Sequence, residues 1–109
     1  MVRRVKWTEA AWCDLEAVAD YIDRDSQRYA AAFVREVRDA ACSLARFAER
    51  GRRVPEFGMP AVRELLVRKY RLIYRLTEDA VHIVAFIHGA RDLAALWEQE
   101  RRDNPEDIA

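Results

Sequence analysis

The hydrophobic period of this chain changes once, and that change sets the class of fold open to it. Up to about residue 49 the apolar side chains recur at helical spacing; between residues 62 and 88 they come in short β-branched and aromatic runs. In the first part Trp12, Leu15, Ala19 and Ile22 mark one face, with Val18 beside them, while Asp14, Glu16, Asp20 and Asp23 fall elsewhere. The spacing predicts an amphipathic helix of roughly four turns. Thr8 offers its hydroxyl as N-cap and Glu9 sits in the favourable first turn. Asp23-Arg24-Asp25-Ser26 interrupts the pattern, and Ser26 can cap a second helix.

That second helix is expected over residues 27–49. Phe33, Val37, Ala40, Leu44 and Phe47 form one apolar stripe, and Ala30, Val34, Ala41, Ala45 and Ala48 a second of smaller residues. Two helices joined by a short polar break pack as an antiparallel hairpin. The small-residue stripe suits close approach to the first helix; a partner-binding groove is the other use for it. Gly51 is expected at the helix C-terminus, and Arg52 to Pro60, with two prolines and Gly58, as a loop.

The runs Val62–Val67, Tyr70–Leu76 and Val81–His88 are separated by Arg68-Lys69 and by Thr77 to Ala80, which are hairpin distances. They predict an antiparallel meander. In the second run Leu72, Tyr74 and Leu76 share one face and Arg71, Ile73 and Arg75 the other. In the third, strict alternation places Val81, Ile83, Ala85 and Ile87 together, opposite His82, Val84, Phe86 and His88. Arg3 to Trp7 reads as a short strand, with Arg3, Val5 and Trp7 on one face. It is expected to join the sheet, because a lone strand leaves backbone groups unpaired. Asp92 can cap a last helix carrying Leu93, Leu96 and Trp97, stopped by Asn104-Pro105. The order β-α-α-β-β-β-α is that of an α+β domain, a helix hairpin on a small antiparallel sheet.

Composition narrows the function. A chain of 109 residues makes one domain, residues 1–109, and 51% hydrophobic residues suffice for a small core. Charged residues at 35%, with no apolar stretch of spanning length, point away from a membrane protein. The N-terminus lacks the apolar segment of a secretory signal, so a cytoplasmic location is expected. Cys13 and Cys42 lie within the helical patterns and are expected as small core residues. Two Cys and two His at these spacings do not make an evident metal site, and no cofactor is implied.

The formal net charge is zero, from 19 basic and 19 acidic side chains, but the zero is unevenly built. Residues 50–75 carry Arg50, Arg52, Arg53, Arg63, Arg68, Lys69, Arg71 and Arg75 against Glu56 and Glu64 alone. The rest of the chain, its C-terminal tail above all, is acidic. Such asymmetry fits an anionic partner or self-complementary contacts; a solvated face with scattered counter-ions fits it as well.

The residues at this point resemble the RelE/ParE superfamily of bacterial toxins from type II toxin–antitoxin pairs. The resemblance spans nearly the whole chain. It rests on Asp14-Leu15 with Asp20-Tyr21-Ile22, on Gly51-Arg52 and Val54-Pro55-Glu56, and on Val62-Arg63-Glu64-Leu65 followed by Tyr70-Arg71-Leu72-Ile73-Tyr74-Arg75. His88-Gly89-Ala90-Arg91-Asp92-Leu93 completes it. The resemblance implies a helix hairpin on a small sheet and two classes of action. RelE-like members are ribosome-dependent ribonucleases; ParE-like members share the fold and poison DNA gyrase.

RNA cleavage through the 2′-hydroxyl needs a base, an acid and positive charge at the phosphate. Glu56 is the candidate base, Arg71 and Arg75 the candidate phosphate clamps, and His88 the candidate acid. Glu56, Arg71 and His88 look like the carboxylate–arginine–histidine set of the YoeB-type branch. Three features count against the nuclease case, the first because RelE-type enzymes depend on a lysine-rich site. The chain has only Lys6 and Lys69, it continues well past Gly89, and its charge balance matches a ribosomal RNA surface poorly. The run from His88 to Leu93 looks more like the ParE and plasmid-stabilisation branch. The expectation is therefore a ParE-like gyrase poison, with a RelE/YoeB-like mRNA endoribonuclease as the alternative. Arg63, Arg71, Tyr74, Arg75, His88 and Arg91 are the candidate binding residues. The resemblance also implies a cognate antitoxin, docked on the apolar groove between the hairpin and the sheet.

Overall fold

A computed structural model of the chain describes residues 2–90. Arg91 and the expected last helix from Asp92 lie outside the described residues. The elements in chain order are β1 (Arg4–Trp7), α1 (Glu9–Asp23), α2 (Gln27–Ser43), β2 (Arg52–Arg53), β3 (Val62–Val67), β4 (Tyr70–Leu76) and β5 (Ala80–His88). Among the described residues the fold is α+β, two helices on a five-stranded sheet of order β1-β5-β4-β3-β2. No helix among the described residues is long and apolar enough to cross a membrane.

Both expected caps form. The Thr8 hydroxyl accepts a hydrogen bond from the Ala11 amide at 3.1 Å, and the Ser26 hydroxyl one from Tyr29 at 3.2 Å. Each satisfies one of the amides that the first helical turn leaves without a partner. Ala11 and Leu15 on α1, and Ala30, Phe33, Val37 and Ala41 on α2, are buried, so the stripes read from the sequence do face inward. Trp12 and Phe47 are the exceptions; both are exposed. Cys13 and Cys42 also lie on exposed helical faces, contrary to the expectation of core positions, because the larger apolar neighbours claim the buried stripe. α2 ends at Ser43 rather than near residue 49, and the chain continues through tight turns that still bury Leu44 and Ala48.

The sheet is mixed. β3, β4 and β5 form the expected antiparallel meander, while β1 joins β5 in parallel, Arg4 opposite Ala80 and Trp7 opposite Ile83. β1 stops at Trp7, and its edge of β5 would then expose an amide. The Asp14 carboxylate of α1 accepts from the Phe86 amide at 3.1 Å and closes that gap. Arg52–Arg53, expected as loop, pairs with Arg63 and Glu64 as a two-residue edge strand.

One irregularity reorders the faces of β5. Ile73 pairs with Ala85 but Tyr74 pairs with Ile83, so Val84 is an extra residue, a β-bulge. Alternation restarts after it. Val81, Ile83 and Phe86 point into the main core with Leu15, Phe33, Val37, Leu72 and Tyr74. Ile87 points the other way, joining Val54, Val62 and Ile73 in a second cluster against which Val84, Ala85 and Phe57 pack. The strict alternation expected for Val81–His88 therefore fails at one point, and Phe86 and His88 exchange faces with Ala85 and Ile87.

Candidate functional site

The second cluster lies on the face of the sheet away from the helices, and a charged network sits beside it. Val62, Glu64 and Leu66 of β3 share this face with Arg75, Ile73 and Arg71 of β4, which stand directly opposite them. Glu64 is fully buried. A buried carboxylate is costly unless it is paired and hydrogen-bonded. Here each of its oxygens is held by one guanidinium. Arg52 donates to Oε2 through Nε at 2.8 Å and through a terminal nitrogen at 2.7 Å. Arg71 donates to Oε1 through Nε at 2.9 Å and through a terminal nitrogen as well.

The same Arg71 guanidinium reaches out to Glu56 in the loop after β2. Its two terminal nitrogens meet the two Glu56 oxygens at 2.9 Å each, a bidentate pair. The chain Arg52–Glu64–Arg71–Glu56 thus runs from one edge strand to the loop and is neutral overall. Bound to Arg71 above all, the Glu56 carboxyl is held below its ordinary value. The Arg71 guanidinium is pushed higher still by Glu56 first and Glu64 next, so it stays charged at every accessible pH.

The remaining candidates lie elsewhere. Arg75 shares the Arg71 face, as the strand pattern predicts, about 13 Å away along β4. His88 does not. It sits opposite Tyr70, with the rings edge-to-face at 5.6 Å, and Tyr70 stacks in turn on Phe86 at 5.1 Å on the helix side of the sheet. The bulge at Val84 puts it there. Glu56, Arg71 and Arg75 therefore share one side of the sheet, and His88 stands on the other.

Tyr74 and Arg63 also belong to the helix side and serve the turn that precedes β2. The Tyr74 hydroxyl donates to the Ala48 carbonyl at 2.8 Å and accepts from the Gly51 amide at 2.9 Å. Burial pushes this phenol above its ordinary value. The Arg63 guanidinium donates to the Gly51 carbonyl at 2.9 Å, while its buried Nε has no hydrogen-bond partner among the described residues. Arg91 lies outside the described residues.

Glu64 and Arg52, two of the four members of the network, were not among the candidates. An isolated acidic residue between Arg63 and Leu65 reads as a surface position. The one available signal was that two basic residues, Arg52 and Arg71, flank it only once β2 and β4 are both paired to β3.

Chemically, the arrangement holds Arg71 rather than freeing it. Four hydrogen bonds to carboxylates occupy its guanidinium, and the same contacts keep Glu56 ionised and engaged. A general base works best with a pKa near the working pH and a free lone pair aimed at the substrate. In this state the Glu56 pKa is lowered, away from neutral, both of its oxygens already accept from Arg71, and the candidate acid stands across the sheet from it.

Comparison with known proteins agrees with the fold and places the chain. Residues 5–93 match the family described as the ParE toxin of the type II toxin-antitoxin system, parDE. The Toxin RelE2 of Caulobacter vibrioides is 38% identical over 89 residues, covering 81% of this chain and 97% of that one. A solved structure described as a chromosomal ParDE TA system from P. aeruginosa shares the fold, with a TM-score of 0.67. That alignment covers 80% of this chain and 96% of the other at 23% identity. The chain belongs to the ParE toxin family of type II toxin–antitoxin systems.

Proposed function

We propose that this chain is a ParE-like toxin that inhibits growth by poisoning DNA gyrase and is neutralised by a cognate antitoxin. The family implies the antitoxin; gyrase as target is our reading. The observation that carries it is the separation of the nuclease candidates. Glu56 is clamped on Arg71 with a lowered pKa, and His88 faces the other side of the sheet. A toxin that acts by binding needs no free base and acid; it needs a stable surface with charge at fixed points. The Arg52–Glu64–Arg71–Glu56 network gives the sheet face away from the helices that rigidity, and Arg75 adds a cation to it.

The test is induction of the chain without antitoxin, followed by two assays. The expected result is growth arrest, with gyrase supercoiling inhibited and cleaved DNA accumulating on addition of the purified protein. Primer-extension mapping that found ribosome-dependent cuts in mRNA, with gyrase unaffected, would overturn the reading. It would favour the ribonuclease alternative, which the name of the relative Toxin RelE2 keeps in view. The cognate antitoxin, expected from the neighbouring gene, should abolish the arrest in a tight complex.

A further inference from the structure

The face of the sheet away from the helices carries a second charged group that the network above does not touch. Lys6 on β1 is directly opposite His82 on β5, and His82 is directly opposite Arg75 on β4. Directly opposed residues of neighbouring strands share a face, so the three form a row across three strands. Neighbouring strands lie about 4.8 Å apart, which places the outer two Cβ atoms roughly 10 Å from each other. Lysine and arginine side chains are long enough to converge from those positions above the imidazole.

Among the described residues these cations have little counter-charge. Neither Lys6 nor Arg75 makes an ion pair or a side-chain hydrogen bond among the described residues. His82 is half-buried between them, and burial first, then Arg75 and Lys6, disfavour its protonation. Arg4, two residues before Lys6, shares its face of β1 and adds to the positive charge. Against them stands Asp79, beside exposed Glu78 in the turn before β5, and it offsets only part of the effect. Three nitrogen-bearing groups in one row, in excess of the described carboxylates beside them, suit a ligand with several negative oxygens.

We infer that Lys6, His82 and Arg75 form a binding site for a tetrahedral oxyanion of the phosphate class, closed by a proton on His82. The inference does not depend on which cellular target the toxin attacks. Linkage fixes its pH behaviour. An anion favours the protonated imidazole, so binding tightens as pH falls through the His82 transition, and the bound anion raises that transition by the same factor. The ligand's phosphate chemistry has two sources, a free inorganic ion or a phosphodiester in a nucleic-acid strand.

The experiment follows the His82 ring by NMR in the full chain as pH is varied. Sulfate, which keeps its charge from pH 5 to 8, is compared with chloride at matched ionic strength, and the His88 ring reports general screening. The expected result is a sulfate-specific rise of about half a unit or more in the His82 midpoint, since such a rise is the logarithm of the affinity ratio between the two protonation states. Lys6→Gln with Arg75→Gln should remove the rise. His82→Gln should leave sulfate affinity independent of pH. In a second arm, inorganic phosphate and a short single-stranded oligonucleotide are titrated separately. A tenfold advantage for either identifies the source, and both outcomes support the site. Identical His82 curves in sulfate and chloride, or a rise that survives the double substitution, would overturn it.

Discussion

Tyr74 holds Gly51 and Ala48 together through one oxygen: its hydroxyl receives the Gly51 amide and gives its proton to the Ala48 carbonyl. This single contact fixes where the chain leaves the helical layer and enters the sheet. Gly51 is required for it, because a Cβ there would lie 2.5 Å from the Glu64 carbonyl and closer still to the Tyr74 hydroxyl. Tyr74→Phe leaves two buried backbone groups without partners and should destabilise the protein by about 1–3 kcal/mol. Gly51→Ala overpacks the same point and should cost at least about 1–3 kcal/mol. Urea unfolding of both variants checks the pair, and an unchanged midpoint for Tyr74→Phe would show that water replaces the hydroxyl.

Removing one partner from the buried network is expected to be worse than replacing the pair. Glu64→Gln leaves Arg52 and Arg71 facing each other without their shared anion. Arg71→Ala removes both hydrogen bonds from one oxygen of the buried Glu64 carboxylate and leaves it to Arg52 alone. Each should cost about 3–5 kcal/mol, whereas Glu64→Leu with Arg71→Met should recover much of the loss. The double-mutant cycle measures it, and additive losses would mean that the two residues are not coupled.

Glu56 gives the loop after β2 a defined acid sensitivity. Arg71 lowers its pKa in the folded protein below the ordinary 4.5. The unfolded chain therefore takes up a proton first as pH falls. The contact's contribution is fully present well above pH 4.5 and is lost as pH drops through the folded value. In Glu56→Gln that component of the acid transition should vanish, with a loss of about 1 kcal/mol or less at neutral pH, since the pair is partly exposed. Acid titration of stability in the two proteins provides the comparison.

Thr8→Ala removes the α1 cap and should lower stability by about 1 kcal/mol without altering the sheet. A thermal midpoint equal to that of the parent would assign the cap no weight.

Both thiols should react with a disulfide reagent in the folded state at rates close to those of the unfolded chain, because Cys13 and Cys42 lie on exposed helical faces. Protection of either until denaturation would contradict that placement.

Most of the fold was legible because its signals are local. Thr8 and Ser26 cap where hydroxyl chemistry places them, and Arg68, at φ 55°, turns the chain between two β-rich runs. The bulge at Val84 was not legible. Every residue from Val81 to Ile87 is compatible with either face, so nothing in the run marks where alternation restarts. That one residue decides the side on which His88 emerges, and with it which candidate residues meet. β2 was missed for a related reason. Two arginines have no strand signature of their own; their pairing with Arg63 and Glu64 exists only once β3 is in place. Arg71 and Arg75 were correctly set on one face, yet the partners of Arg71 come from a loop and a neighbouring strand, which no linear pattern relates.

The parallel pairing of β1 with β5 bears on when this protein can act. Arg4 leaves the ribosome before Ala80 and waits for it, as Trp7 does for Ile83, so β1 finds its neighbour only after β5 has been made. Contacts of such long sequence separation form slowly, after the local hairpins. A nascent or truncated chain that stops before β5 has no partner for β1, no Phe86 for Asp14, and only part of the main core. Synthesis of the chain is therefore uncoupled from assembly of its sheet, and a prematurely terminated toxin is left without its fold.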